Sequence, residues 1–191
     1  MSPQTIFQTQ LVLGYVACLL CFSAWIMPRL RAMSRFSAHR VIAAIHSFRF
    51  FGLVFIVPGV VGPNLPAGFA TPAAYGEFAT GLLAIMALLT APIRPLFWFF
   101  VVAFKVVGAT DILVAYYHAM RFGLPFVAGQ LGAAYVIPIV YVPLLMITHA
   151  TAFYGFARSL STTNPVVSGE RRSRLSSEQG HDRLTIMEEG S

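Results

Sequence analysis

The sequence predicts an all-α membrane protein: a compact bundle of five transmembrane helices with the N-terminus outside and the C-terminus in the cytoplasm. The first observation behind this prediction is composition. Hydrophobic residues make up 57% of the chain and charged residues 10%, with a mean hydropathy of +0.72, whereas charged residues are about a quarter of a soluble domain. The second observation is that basic residues between the apolar stretches fall on alternate sides. A water-soluble fold could not cover so much apolar surface, so the net charge of +6 does not indicate a nucleic-acid partner.

Five apolar stretches are each close to the roughly 20 residues that a helix needs to cross a bilayer. They cover about residues 5–27, 41–61, 73–91, 96–117 and 133–156. Lipid offers no hydrogen-bond partner to an open strand, so these spans are predicted to be helices and to form one domain at 1–156. Residues 157–191 change abruptly to Ser, Arg, Glu and Gly, a composition typical of a disordered cytoplasmic tail.

The distribution of positive charge predicts the orientation. No basic residue precedes the first span, and four arginines follow it, which favours an uncleaved helix with an outside N-terminus. Arg121 is then the single basic residue of the outer segments, and Arg49 and Lys105 lie within spans. The inner segments hold the other ten basic residues: Arg29, Arg31, Arg35, Arg40, Arg94, Arg158, Arg171, Arg172, Arg174 and Arg183.

Ionisable residues inside the spans are the candidate ligand or proton site. They are His46, Arg49, Glu77, Lys105, Asp111 and His149. A charge at mid-membrane costs at least ~2.5–3.5 kcal/mol, so such side chains usually face the bundle interior and have a partner. Counting residues along the helices predicts a basic inner layer and an acidic outer layer. Arg49 paired with Asp111 or Glu77 is the first ion pair to expect, because an unpaired buried charge is costly.

Two histidines at similar depth, His46 and His149, raise the possibility of haem or metal ligation. No spaced Cys, His or carboxylate motif accompanies them, and the cationic Arg49 and Lys105 disfavour a metal ion. We therefore predict no metal site. A basic layer suits an anionic or quinone-like head group better, so the cofactor stays open between none, a quinone and a haem.

Small residues inside the spans have a structural interpretation. Gly52, Gly76, Gly81 and Gly108 are typical of close helix crossings. Cys18 and Cys21 form a C-x-x-C pair within an apolar helix, with no neighbour in sequence that would stabilise a thiolate. We interpret them as small residues of a membrane helix rather than as a redox pair.

The run Arg49-x-x-Gly52-x-x-Phe55, followed by Tyr75-Gly76-Glu77 and then Gly81-Leu82-Leu83, resembles the pattern of DoxX-like small membrane proteins. The resemblance covers about residues 46–117 and extends to small multi-pass membrane proteins of bacteria. It implies a compact bundle in the bacterial inner membrane. In some relatives it also implies quinone-coupled oxidation or chaperoning of membrane partners. Only Arg49 and Glu77 are carried over, and this chain departs from the pattern by placing a full helix before the arginine helix.

Three functions remain open. The chain is a structural or assembly partner of a membrane protein or of a second copy of itself, a quinone- or haem-linked redox or proton-transfer subunit, or a small transporter. Whether it is an enzyme is left open by the sequence. The first function is favoured, because small bundles without a catalytic motif usually use buried polar residues to fix their helices. The lipid bilayer is the one partner that all three share.

Overall fold

The computed structural model describes the backbone of residues 1–161 and the side chains of residues 1–153. Within these residues the chain is helical and forms no β-strand. The α-helices are α1 (Pro3–Cys21), α2 (Met27–Ala32), α3 (Arg35–Ser47), α4 (Ala67–Leu89), α5 (Arg94–Arg121) and α6 (Val142–Ser161). The packing described below lies within residues 1–150. The tail predicted at 157–191 lies outside the described residues from position 162 on.

Several of the helical segments are long and apolar enough to cross a membrane. Four such segments are present among the described residues: Pro3–Ala32, Arg35–Ile56, Ala67–Leu89 and Arg94–Arg121. A fifth candidate consists of Leu124–Tyr135 and Ile137–Phe153, two segments that meet at 95°. The second segment begins before the predicted residue 41 and ends before the predicted residue 61. It ends at Ile56 because Val57 precedes Pro58 and takes an extended conformation.

Prolines explain two short π-helical turns. Phe22–Ile26 joins α1 to α2 just before Pro28, and Ile137–Tyr141 leads into α6 just before Pro143. A proline has no N–H to donate, and its ring collides with the carbonyl four residues earlier. Widening the helix by one residue per turn relieves this collision. The chain therefore passes both prolines without leaving the helical conformation.

The segment Phe48–Ile56 is a 3₁₀-helix that continues α3. A 3₁₀-helix has three residues per turn, so positions three apart lie directly above one another. Arg49, Gly52 and Phe55 have this spacing, and all three are buried. Phe48 and Phe51 on the other faces are exposed. The tighter helix thus converts the Arg-x-x-Gly-x-x-Phe pattern into a single buried ridge.

The buried ridge of Phe48–Ile56 packs against α4, which also packs along α5 and α3. By contrast, α1 packs mainly against the segments Leu124–Tyr135 and Ile137–Tyr141. Two loops meet at the same end of the molecule, where the backbone N–H of Gly62 donates to the carbonyl of Gln130 at 2.7 Å. The side-chain carbonyl of Gln130 accepts from the backbone N–H of Asn64 at 3.2 Å. Apart from these loop contacts, α3, α4 and α5 lie around a shared polar centre.

Candidate functional site

Arg49 lies at the polar centre and has no exposed surface. Its Nε donates to Oε2 of Glu77 at 2.7 Å, and its Nη2 donates to Oε1 of the same carboxylate at 3.0 Å. The same Nη2 donates to Oδ2 of Asp111 at 2.5 Å. Its Nη1 donates to the carbonyl of Gly108 at 3.3 Å. We name Arg49, Glu77 and Asp111 the Arg49 cluster. It ties the 3₁₀ ridge to α4 by a two-pronged ion pair and to α5 by a second ion pair.

The four glycines that the sequence suggests as helix crossings all lie around the Arg49 cluster. A Cβ atom at Gly52 would overlap the stem of Glu77, and one at Gly76 would overlap the carboxylate of Asp111. A Cβ at Gly81 would lie 2.8 Å from the backbone nitrogen of Phe50. One at Gly108 would lie 2.6 Å from Nη1 of Arg49. The interpretation of these glycines as close crossings is confirmed: their missing side chains let three helical segments approach the guanidinium.

A second polar group connects α3 to α6, and we name its members His46, Thr148 and His149 the histidine cluster. Nε2 of His46 lies 2.9 Å from the hydroxyl of Thr148. That hydroxyl donates to the carbonyl of Leu145 at 2.8 Å, so it accepts from His46 and places the ring proton on Nε2. Nδ1 of His46 then faces no hydrogen-bond partner within residues 1–153. The rings of His46 and His149 meet edge to face with centroids 4.6 Å apart.

The chain matches a protein-family model over most of its length. A family model described as a domain of unknown function, DUF8737, matches residues 6–157. The chain belongs to the DUF8737 family. Neither the search of curated proteins nor that of solved structures gave a match. The match covers both polar clusters of this DUF8737 chain, and the resemblance to DoxX-like proteins stays a prediction from the residues that suggested it.

All six candidate residues are buried in this DUF8737 chain. Arg49 pairs with both Glu77 and Asp111, where the sequence predicted a pair with one or the other. The two clusters meet at Gly108, where a Cβ would lie 3.1 Å from Nε2 of His149 and close to Arg49. Lys105 is buried on α5, one turn before Gly108. The structure therefore brings the candidates to one region of the bundle.

Arg49 departs from the predicted separation into a basic inner layer and an acidic outer layer, because it bonds both carboxylates. The separation was expected because the third span was predicted to begin near residue 73, which placed Glu77 close to the outer end of its helix. In the structure α4 begins at Ala67, so Glu77 lies about 15 Å along the helix at ~1.5 Å per residue. Glu77 therefore lies far enough along α4 to meet Arg49.

Two threonines of the site are missed by reasoning from the sequence. Thr148 binds His46, and Thr80 is fully buried one turn after Gly76, whose carbonyl accepts from its hydroxyl at 2.8 Å. Threonine is common in membrane helices because its hydroxyl bonds the carbonyl of the preceding turn. The signal that could have found Thr148 is its position next to His149 within an otherwise apolar run.

The histidine geometry bears on haem and metal ligation. A haem held between two histidines needs its iron between their ring nitrogens. Here the rings of His46 and His149 touch edge to face, and Nε2 of His46 binds Thr148. Within the described part of the chain, no group of three or more His, Cys, Asp or Glu residues has the spacing to hold a metal ion. The arrangement does not fit an iron atom between these two rings.

Proposed function

We propose that this protein is a multi-pass protein of the cell membrane that serves as a structural or assembly partner, with the Arg49 cluster holding its helices in register. The observation that supports this most directly is that Arg49 directs four hydrogen bonds to groups of its own chain. A guanidinium has five N–H groups. Because four of these five groups already bind the protein, the guanidinium cannot offer its usual pair of parallel N–H groups to an anionic head group. An arginine built for ligand capture would keep that fork open.

The chemistry of the cluster also favours a fixed structure over a reacting site. Two carboxylates from α4 and α5 approach one cation from the 3₁₀ ridge, and all three side chains are buried. Separating any pair of these elements leaves a charge in hydrocarbon without its partner, which is strongly unfavourable. The cluster thus selects one relative position of three helical segments. Burial of apolar side chains contributes little to this in lipid, because lipid tails are as apolar as leucine.

We propose five spans, with the bent pair Leu124–Tyr135 and Ile137–Phe153 as the fifth. The proposed orientation has the N-terminus outside and the loop between α2 and α3 in the cytoplasm, as in a bacterial inner membrane. Charge supports it. Within residues 1–161 Glu77 and Asp111 are the only acidic residues, and both bind Arg49. The inner-segment arginines therefore have no carboxylate within these residues, and anionic lipid phosphates at the cytoplasmic surface suit them: Arg29, Arg31, Arg35, Arg40 and Arg94.

The first span is the surface that we assign to a partner helix. Only 6% of its apolar window is buried within the protein, against 33–39% for the next three spans. It begins with α1, whose contacts lie mainly with the segments at 124–141 rather than with the α4–α5 pair. A helix with this much uncovered length can bind a membrane partner without displacing the Arg49 cluster.

The test compares two lipid-facing positions. A photo-crosslinking amino acid replaces Leu20 on α1 or Leu113 on α5, which are 64% and 66% exposed. We expect a discrete protein adduct in cells from position 20 and lipid adducts alone from position 113. The partner's level in the membrane should also fall when this protein is removed. Absence of any protein adduct at position 20, with a stoichiometric quinone or haem in the purified protein, would overturn the proposal in favour of the redox function.

A further inference from the structure

A cavity of about 170 Å³ lies between α1, α4, α5 and the start of α6, and Glu77 is one of its lining residues. Its deep wall includes Phe55, Phe69, Ile112 and Ile137. The wall is almost entirely apolar. Both carboxylate oxygens of Glu77 accept hydrogen bonds from Arg49, so this residue offers the cavity its methylene stem. A ligand that needs hydrogen bonds would find few here.

The volume is sufficient for a ligand. A cavity of about 150 Å³ lined by Leu, Ile and Phe stays dry and binds benzene. Water enters a cavity only where two or more polar groups can bond it. An apolar space of this size is therefore matched by a hydrocarbon group and not by water. Lost contacts around such a space reduce stability, so filling it is favourable.

The cavity reaches the molecular surface between α1 and α5. Gln8 and Met120 line it and are exposed, and Met120 has 74% of its surface accessible. Beside this opening the two helices are bridged by the hydroxyls of Tyr15 and Tyr116, 2.5 Å apart, and Tyr116 also lines the cavity. In the membrane placement proposed above, the opening between two spans faces lipid. A ligand would enter sideways from the bilayer.

We propose that this cavity binds one hydrocarbon chain of a membrane lipid, with the end of the chain against Phe55 and the stem of Glu77 and the polar end of the lipid at the opening near Gln8. The inference rests on the proposed membrane placement, but not on the assembly role. The chain can come from a phospholipid or from an isoprenoid lipid, since the two share the same apolar chemistry. The bound hydrocarbon chain would pack on Phe55 of the 3₁₀ ridge and on Ile112 of α5, which both line the cavity. Its binding would therefore stabilise two of the elements that Arg49 connects.

The experiment uses the full-length protein in lipid nanodiscs with phosphatidylcholine that carries a diazirine at the end of one acyl chain. After illumination, adducts are mapped by mass spectrometry. We expect adducts on Phe55, Phe69 or Ile112 that saturate as the labelled fraction rises, while adducts on exposed residues rise in proportion. An Ala115→Phe variant fills the cavity and should lower the cavity adducts about tenfold. The matched control Leu113→Phe, on the outer face of the same helix, should leave them unchanged.

Competition then identifies the source of the chain. Excess unlabelled phosphatidylglycerol that removes the cavity adducts indicates an acyl chain, and excess isoprenoid quinone that removes them indicates an isoprenoid chain. Cavity adducts that are absent, or that rise in proportion without saturating, would overturn the proposal. If the Ala115→Phe variant does not assemble, the proposal is tested by whether the cavity adducts of the wild-type protein saturate. Failure here leaves the crosslink from position 20 untouched, so the two proposals fail separately.

Discussion

The Arg49 cluster and the histidine cluster lie on either side of Gly108, yet they are held in opposite ways. Arg49 makes ion pairs with two carboxylates and one bond to a carbonyl. His46 makes a single bond to Thr148 and otherwise packs against the rings of His149 and Phe104. Buried charges need a complete set of partners, whereas an imidazole can be neutral and needs fewer. From this comparison we expect the charged side of Gly108 to contribute most to fixing the helices.

The largest expected effect comes from removing the cation. Arg49→Met leaves Glu77 and Asp111 buried without a partner, so the free energy of unfolding should fall by about 3–5 kcal/mol. The measurement is unfolding of the purified protein in mixed micelles by a denaturing detergent, together with the amount of protein that reaches the membrane. A loss below about 1 kcal/mol would contradict the structural role, because surface ion pairs already contribute that much.

The control for this variant removes all three charges together. Arg49→Met, Glu77→Met and Asp111→Leu in one chain leave no unpaired charge, and replacing a buried ion network by well-packed apolar groups of similar volume is often close to neutral. We expect this variant to regain most of the stability that Arg49→Met loses. A triple variant as unstable as the single one would show that the charges themselves, and not their pairing, are required.

The second effect separates the two carboxylates. Glu77 accepts two bonds from Arg49 and Asp111 accepts one. Charge-assisted hydrogen bonds contribute about 1.5–3 kcal/mol each, so Glu77→Gln should lower stability by at least that amount. Each variant leaves one balanced ion pair with Arg49, but Asp111→Asn affects one bond where Glu77→Gln affects two, so it should cost less. Detergent unfolding of both variants side by side gives the ranking, and the reverse order would contradict the geometry of the cluster.

How far the sequence predicts this site depends on the type of physical constraint. The high cost of a charge in lipid singles out six ionisable residues within the spans, and Arg49, Glu77 and Asp111 are three of them. The helical fold with long apolar helices follows from composition in the same way and is confirmed. Which side chains meet depends on the start of α4 at Ala67 and on the 3₁₀ conformation of Phe48–Ile56. Neither has a strong local signal, because both are decided by packing against neighbouring helices.

The third effect tests the close approach of α4 to the 3₁₀ ridge at Gly81, on which the Arg49 cluster depends. In Gly81→Ala the new methyl group would lie 2.8 Å from the backbone nitrogen of Phe50, so α4 must move away from the 3₁₀ ridge and carry Glu77 with it. Overpacking of this kind costs about 1–3 kcal/mol. The matched control is Gly129→Ala, where no atom lies within 4 Å of the new Cβ. Equal stability of the two variants, measured by the same unfolding assay, would contradict the close crossing.

The smallest effect is expected on the histidine side of Gly108. A double-mutant cycle with His46→Phe and Thr148→Val isolates the bond between their side chains. Such bonds between membrane helices average about 0.6 kcal/mol, because the unfolded chain in the membrane also finds partners. We expect a coupling of that size, and no coupling between Thr148→Val and Glu77→Gln. A coupling between His46 and Thr148 as large as the loss from Glu77→Gln would mean that the histidine cluster shares the fixing of the helices equally. The two sides of Gly108 would then form one network, and the contrast between them would fail.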